Sequence, residues 1–213
     1  MKPTSEAELA DLISSVKAPL CIRGGGTRLL GPIEGEVLET SGLQGISLYE
    51  PGALTMVAGA GTTLDEIGAA LKAENQRLAF EPPDLRDVLG TTGASTIGGV
   101  AASNASGPRR ISVGACRDFM LGVRFVDGAG IVAKNGGRVM KNVTGYDLVK
   151  LMSGAFGTLG VLSEVSLKVM PKVEIQLCLR IEGLNAKQAV AAMSAALGSP
   201  FEVSGAAQDL DGA

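Results

Sequence analysis

The residues whose types and spacing could do chemistry begin at Arg23-Gly24-Gly25-Gly26-Thr27-Arg28. Three glycines in a row carry an entropic cost, and they follow a short apolar run, Pro19-Leu20-Cys21-Ile22. A strand running into bare backbone can present N–H groups to an anion, or it can be an ordinary flexible turn. A second stretch, GTTGASTIGGVAASNASGPRR, fills residues 90–110. Thr96 can cap a helix whose first turn holds Gly98 and Gly99. Glycine there is poor for helix stability. It makes sense where a flat or charged ligand presses on the backbone, or where the helix sits tight against a neighbour. Ser103 and Asn104 then add side-chain donors. A third stretch, VAGAGTTLDEIGAAL at 57–71, has the strand–glycine–helix form of a dinucleotide fingerprint, with Gly59 and Gly61. Its third glycine belongs at position 64, which is Leu64, and no clear acidic residue closes a strand roughly 20 residues later. A tight strand–helix turn accounts for it; a Rossmann-type NAD site is the alternative.

Composition narrows the chemistry. The 213 residues contain no histidine, which removes Ser-His-Asp and Cys-His nucleophile systems and the common zinc sites. No metal site is expected. It also removes any cofactor bonded to an imidazole. The 30 glycines are about twice the usual share of roughly 7% and are not periodic. They cluster at loop positions, as backbone-mediated binding would need. A net charge of -3 gives no reason to expect nucleic acid. Cys21, Cys116 and Cys178 are far apart and odd in number, so a reduced, cytoplasmic chain is expected rather than a disulfide scaffold. Met1 to Glu6 lacks the apolar core of a signal peptide, and no apolar run nears the roughly 18 residues of a membrane span.

The elements that must position these loops alternate. Ser5 and Glu8 read as a capping box opening a helix with Leu9, Leu12 and Ile13 on one face. Short strands are expected at 19–22, 37–39, 46–49 and 54–58. Thr63 and Glu66 form a second capping box before Leu64, Ile67 and Leu71. A strand at 77–80 should stop at Pro82-Pro83. Strands at 119–126 and 131–133 make a hairpin across Asp127-Gly128-Ala129-Gly130. A short helix follows Thr144 with Leu148, Leu151 and Met152 inward, and Val161, Val165, Leu167 and Val169 alternate along one strand. Beyond Pro171, Val173 to Ile181 alternates strictly and reads as a long strand with one buried face. Asn185 caps a helix running to Leu197, and Phe201-Glu202-Val203 starts a further strand.

In order, RGGGTR, TTGASTIGGVAASNASGPRR and TGYDLVKLMSGAFGTLGVLSEVSLKVMP resemble the FAD-binding domain of the vanillyl-alcohol oxidase and p-cresol methylhydroxylase type, from about Ala18 to Pro171. Within that family, CRDFMLGVRFVDGAG and IEGLNAKQAVAAMSAALGSPFEVSGAA are most similar to the FAD-binding subunits of bacterial glycolate oxidases. The resemblance implies an α+β fold: a two-lobed FAD-binding domain over 1–171, with a small lobe to about 80 and a larger lobe from about 81. The beginning of an incomplete α+β substrate or cap domain would occupy 172–213.

FAD would lie extended between the lobes, held without a covalent bond. Arg23, Gly24, Gly25, Gly26, Thr27 and Arg28 would meet its pyrophosphate. Gly93, Thr96, Ile97, Gly98 and Gly99 would line the other side. Ser103, Asn104 and Gly107 would approach the flavin end, Pro82 would sit beside the ring, and Gly160 and Val161 would meet the adenine half. The implied activity is oxidation of a 2-hydroxy acid, glycolate to glyoxylate, by hydride transfer to flavin. Electrons would pass to partner subunits, a second FAD subunit and an iron–sulfur subunit, through which the chain could sit at the inner membrane. A non-catalytic FAD-holding, assembly or electron-transfer subunit is the alternative. Tyr146 and Arg109 have groups suited to a hydroxy acid, but structural readings serve them equally, and no catalytic residue is assigned.

Overall fold

A computed structural model describes residues 1–28, 34–137 and 145–208. Three small pieces of polar chemistry set the first elements. Ser5 Oγ accepts from the Glu8 amide and starts α1 (Glu6–Ser15), whose Leu9 and Ile13 are buried. The expected box closes on only one side, because the Glu8 carboxylate accepts from the Thr4 amide at 2.7 Å instead. β1 (Leu20–Arg23) and β2 (Glu36–Glu39) pair in parallel, so the glycine loop leaves the carboxyl end of β1. β3 (Ile46–Glu50) and β4 (Thr55–Gly59) follow, then α2 (Leu64–Ala73), capped by Thr63 Oγ1.

β5 (Gln76–Arg77) is only two residues long. The strand expected at 77–80 stops there because Phe80 turns into the core, 1% exposed, and Glu81 adopts φ +45°. Next come α3 (Arg86–Leu89), α4 (Ile97–Ser103), α5 (Arg110–Val113) and α6 (Cys116–Phe119). The hairpin is β6 (Met120–Val126) with β7 (Val132–Gly136), and the Asp127 carboxylate accepts from the Ala129 and Ile131 amides across its turn. α7 (Leu148–Met152) buries Val149 and Met152 but leaves Leu151 55% exposed, so Leu151 is not inward as the spacing implied. Thr144, where that helix was expected to start, lies outside the described residues.

β8 (Val161–Lys168) sits centrally in the order β3-β4-β8-β6-β7, with every pairing antiparallel. Its one-faced alternation was the expectation, yet Leu162, Ser163 and Ser166 are buried as well. The second face is covered partly by α1, where Glu6 accepts from Ser163 Oγ at 2.6 Å and pairs with Arg124 of β6. β9 (Met170–Pro171) closes on β5. One apolar cluster gathers β4, β6 and β8 with α2, α4 and α7; a second lies under α1, around Leu9, Leu38 and Val126.

Residues 172–181 form no strand; Ile175, Leu177 and Leu179 are 78%, 89% and 86% exposed. A period-2 pattern encodes a face, but a strand also needs a partner backbone, and none of the described residues supplies one. The strand expected at 201–203 is likewise absent. α8 (Ala186–Leu197) forms as read, with a full capping box between Asn185 and Gln188.

Candidate cofactor-binding site

The glycine loop and the segment before α4 grip each other. A Cβ on Gly25 would fall inside the Ala94 carbonyl, and one on Gly93 inside the Gly25 carbonyl. Their bareness therefore serves the approach of two backbones before it serves any ligand. Thr91 Oγ1 donates to Thr27 O at 3.4 Å, and Arg28 ties three loops together: it donates to Ser95 Oγ, to Thr27 Oγ1 at 3.3 Å and to Pro83 O at 2.8 Å. Burial pushes the Arg28 pKa down, opposed by nearby Asp84.

The joined loops form the wall of a cavity of about 220 Å³. Arg23, Gly24, Gly25, Gly26, Thr27 and Arg28 line it from the glycine loop, Thr96, Gly98, Gly99 and Ser103 from the α4 segment, and Gly160 from the turn before β8. A neighbouring groove shares Arg23 to Gly26 and Thr96, and contains Gly93. Among the described residues, no backbone acceptor takes the N–H groups of Gly25, Gly26 or Thr27. Nor is Arg23 or Arg28 ion-paired there, and each has a buried Nε without a hydrogen-bond partner. Loop amides without a backbone acceptor and two guanidiniums without an ion-pair partner among the described residues line one hollow, and that combination favours an anion.

The amides at the start of α4 are used differently. Ile97 N donates to Thr62 O at 2.9 Å, Gly98 N to Ala60 O at 2.8 Å and Gly99 N to Thr96 Oγ1 at 3.3 Å. This end of the helix offers surface rather than free N–H groups. A Cβ on Gly98 would strike Ala60, whereas one on Gly99 meets only Thr96 Oγ1, at 3.3 Å. Ser103 Oγ donates back to Gly99 O at 2.7 Å.

Other residues singled out in the sequence lie off the cavity. Ile97 is fully buried in the core and Val161 is buried at the head of β8. Asn104 closes α4 at φ +48° while its Oδ1 accepts from the Arg117 amide. Gly107 packs on the Glu81 backbone, where a Cβ would come within 2.7 Å of the carbonyl oxygen, and Pro82 lines neither hollow. Arg109 is held by Glu81 in a two-point ion pair, and Tyr146 is 88% exposed.

Several wall residues escaped sequence reading: Thr40, Ala60, Ala102, Met152, Phe156, Gly157 and Leu162. Gly154 (φ +86°) and Gly157 (φ +77°), which flank Phe156, were the available signal for part of this wall. The Gly59–Gly61 turn is not a Rossmann-type NAD site. Its amides bond to Gly45 O, Ser163 O and Leu43 O, and β4 is antiparallel to both neighbours, whereas the Rossmann arrangement needs parallel strands.

A model of the FAD binding domain matches residues 1–136, well over half of the sequence. The chain belongs to the FAD binding domain family. Glycolate oxidase subunit GlcE of Escherichia coli (strain K12) is 41% identical over 193 residues, covering 90% of this chain and 53% of that protein. Glycolate oxidase subunit GlcD of Bacillus subtilis (strain 168) is 34% identical, with 79% and 35% covered. A D-lactate dehydrogenase of Archaeoglobus fulgidus is 29% identical, with 81% and 39% covered. The chain thus spans from about a third to half the length of these curated relatives. Alkyldihydroxyacetonephosphate synthase shares the fold, with a TM-score of 0.64, 21% identity, and 80% of this chain and 31% of that one covered.

FAD is the family's cofactor, and the cavity's chemistry fits it. The unused loop amides and two guanidiniums suit a diphosphate. The small and apolar lining residues Ala60, Gly98, Gly99, Ala102 and Leu162 suit a ring system. Cys21 and Cys116 are buried, and burial pushes the Cys116 thiol up to about 12, so it stays protonated. Among the described residues, no helix is long and apolar enough to cross a membrane.

Proposed function

We propose that this chain is the FAD-holding part of a glycolate oxidase subunit, in a complex that oxidises a 2-hydroxy acid to the 2-oxo acid. The observation that carries the reading is the convergence of unused loop amides and unpaired arginines on one cavity, in a chain similar to GlcE along 90% of its length. Residues 1–171 are the FAD-binding domain, with lobes meeting near residue 80, and 172–213 begin a second domain.

Bound FAD supplies a two-electron acceptor for the hydride of the hydroxylated carbon. The chain's own residues do the positioning. Gly25, Gly26 and Thr27 donate N–H groups to the diphosphate, and Arg23 balances its charge. Arg28, fixed by Ser95 and Pro83, keeps the loop in place. Gly99 leaves room for the cofactor beside α4. Electrons leave through partner subunits, one an iron–sulfur protein, in a complex facing the cytoplasm.

A second reading is a subunit that holds FAD without oxidising substrate itself. It is favoured by Arg109 being committed to Glu81 and by the exposure of Tyr146, which leave neither group at the cavity. Anaerobic mixing with glycolate tests both readings. Loss of the oxidised-flavin absorbance by this subunit's own FAD supports the first. Loss only when the second FAD subunit is present supports the second, and no loss in the complete complex overturns glycolate as substrate.

A further inference from the structure

Phe156 is an aromatic residue in a costly place. Its φ is +53°, in the left-handed region, and its side chain is 61% exposed. Left-handed backbone outside glycine costs free energy and persists only where the surroundings impose it. Here they do so visibly. Gly154 N donates to Ala101 O at 3.2 Å and Phe156 N to Ala102 O at 2.9 Å, which fastens the loop to the last turn of α4. Gly154 and Gly157, both at positive φ, flank the residue. An exposed ring contributes little to the core, so burial does not explain why this strained position carries Phe. The position lines the same cavity as the glycine loop.

We propose that Phe156 is a stacking platform for an aromatic ring of the bound dinucleotide. This rests on the cavity being the FAD site. A diphosphate seated on the glycine loop carries an aromatic ring system on each side, the purine and the isoalloxazine. Either is a flat π-surface that a phenyl ring can cover in offset or edge-on geometry. The loop's attachment to α4 fixes the backbone that carries the ring, so little backbone entropy is lost when the ligand arrives.

The test pairs affinity with stability, because the two readouts move in opposite directions only for a stacking role. Phe156→Gly removes the ring and the backbone strain together. Its unliganded melting temperature is expected to hold or rise by about 2–4 °C, while the FAD dissociation constant, read by flavin fluorescence, rises about 5- to 150-fold. Phe156→Tyr keeps the affinity within about threefold of the parent, since a tyrosine ring stacks as well. Titrations with ADP and with FMN assign the ring: a loss confined to ADP identifies the purine, and one confined to FMN the isoalloxazine. Unchanged FAD affinity in Phe156→Gly, with the parent chain binding FAD, overturns the stacking role alone. So does a lower melting temperature with no loss of affinity, which makes Phe156 a structural anchor. A parent chain that binds no FAD overturns the site and this inference with it.

Discussion

At the scale of single residues, the glycines divide into two kinds. Gly24, Gly25, Gly93 and Gly98 are bare because protein atoms occupy the space a Cβ would need. Gly99 has nothing but Thr96 Oγ1 near its missing Cβ. Variants should separate the two. Gly25→Ala forces the loops apart, so both FAD binding and melting temperature should fall. Gly99→Leu puts a strong helix former into α4, worth about 1 kcal/mol of propensity. It should leave the melting temperature within about 3 °C of the parent while weakening FAD binding at least about tenfold by filling the cavity. Equal FAD affinity in Gly99→Leu and the parent would place the cofactor elsewhere. The thiols give an independent check on burial. Cys178 is exposed while Cys21 and Cys116 are buried, so a disulfide reagent at pH 8 should titrate one thiol quickly in the folded chain and three after denaturation. Two fast thiols would mean that the core around Cys21 or Cys116 is open.

At the scale of elements, the sequence announced those whose signal is local. Ser5, Thr63, Thr96 and Asn185 cap helices where their spacing said they would. The loops flanking β1 and α4 were legible as candidate ligand loops for the same reason, and they line the cavity. The signals that failed were those needing a partner. Val173 to Ile181 has the alternation of a strand but no neighbour among the described residues to complete it. Ile97 and Val161, read as ligand contacts, are a different case: each is buried in the core beside a cavity-lining residue. Phe156 was illegible because its role depends on a loop folded over α4. An element-scale prediction concerns α1, which the Glu6–Arg124 pair and Ser163 hold against β6 and β8. Hydrogen bonding from Arg124 keeps the Glu6 carboxyl below its ordinary 4.5. A depressed carboxyl stabilises the fold above its unfolded pKa, and that contribution disappears as pH falls through the folded value. The stability gap between the parent and Glu6→Gln should therefore be widest at neutral pH and close below about 4.5, as followed by thermal melts. A gap independent of pH would show that Glu6 acts through packing alone.

At the scale of the whole molecule, an antiparallel sheet with α2, α4 and α7 around it holds a rigid wall, and the glycine loop on the β1–β2 pair supplies the other wall. The segment after Pro171 stands apart in exposure, since 172–183 is exposed throughout and α8 buries only Ala189. Brief trypsin treatment should cut after Lys172 or Arg180 first, leaving a core that ends at residue 172 or 180 and still binds FAD. First cleavage after Arg124, inside β6, would contradict the proposed domain boundary.

The most direct test of the central claim is a visible absorption spectrum of the purified chain, mixed with FAD and passed through a desalting column, alongside Gly99→Leu treated the same way. The account predicts a structured flavin band near one FAD per parent chain, and little or none on the variant. A parent that emerges colourless, or a variant that retains as much flavin, would contradict the assignment of this cavity to FAD.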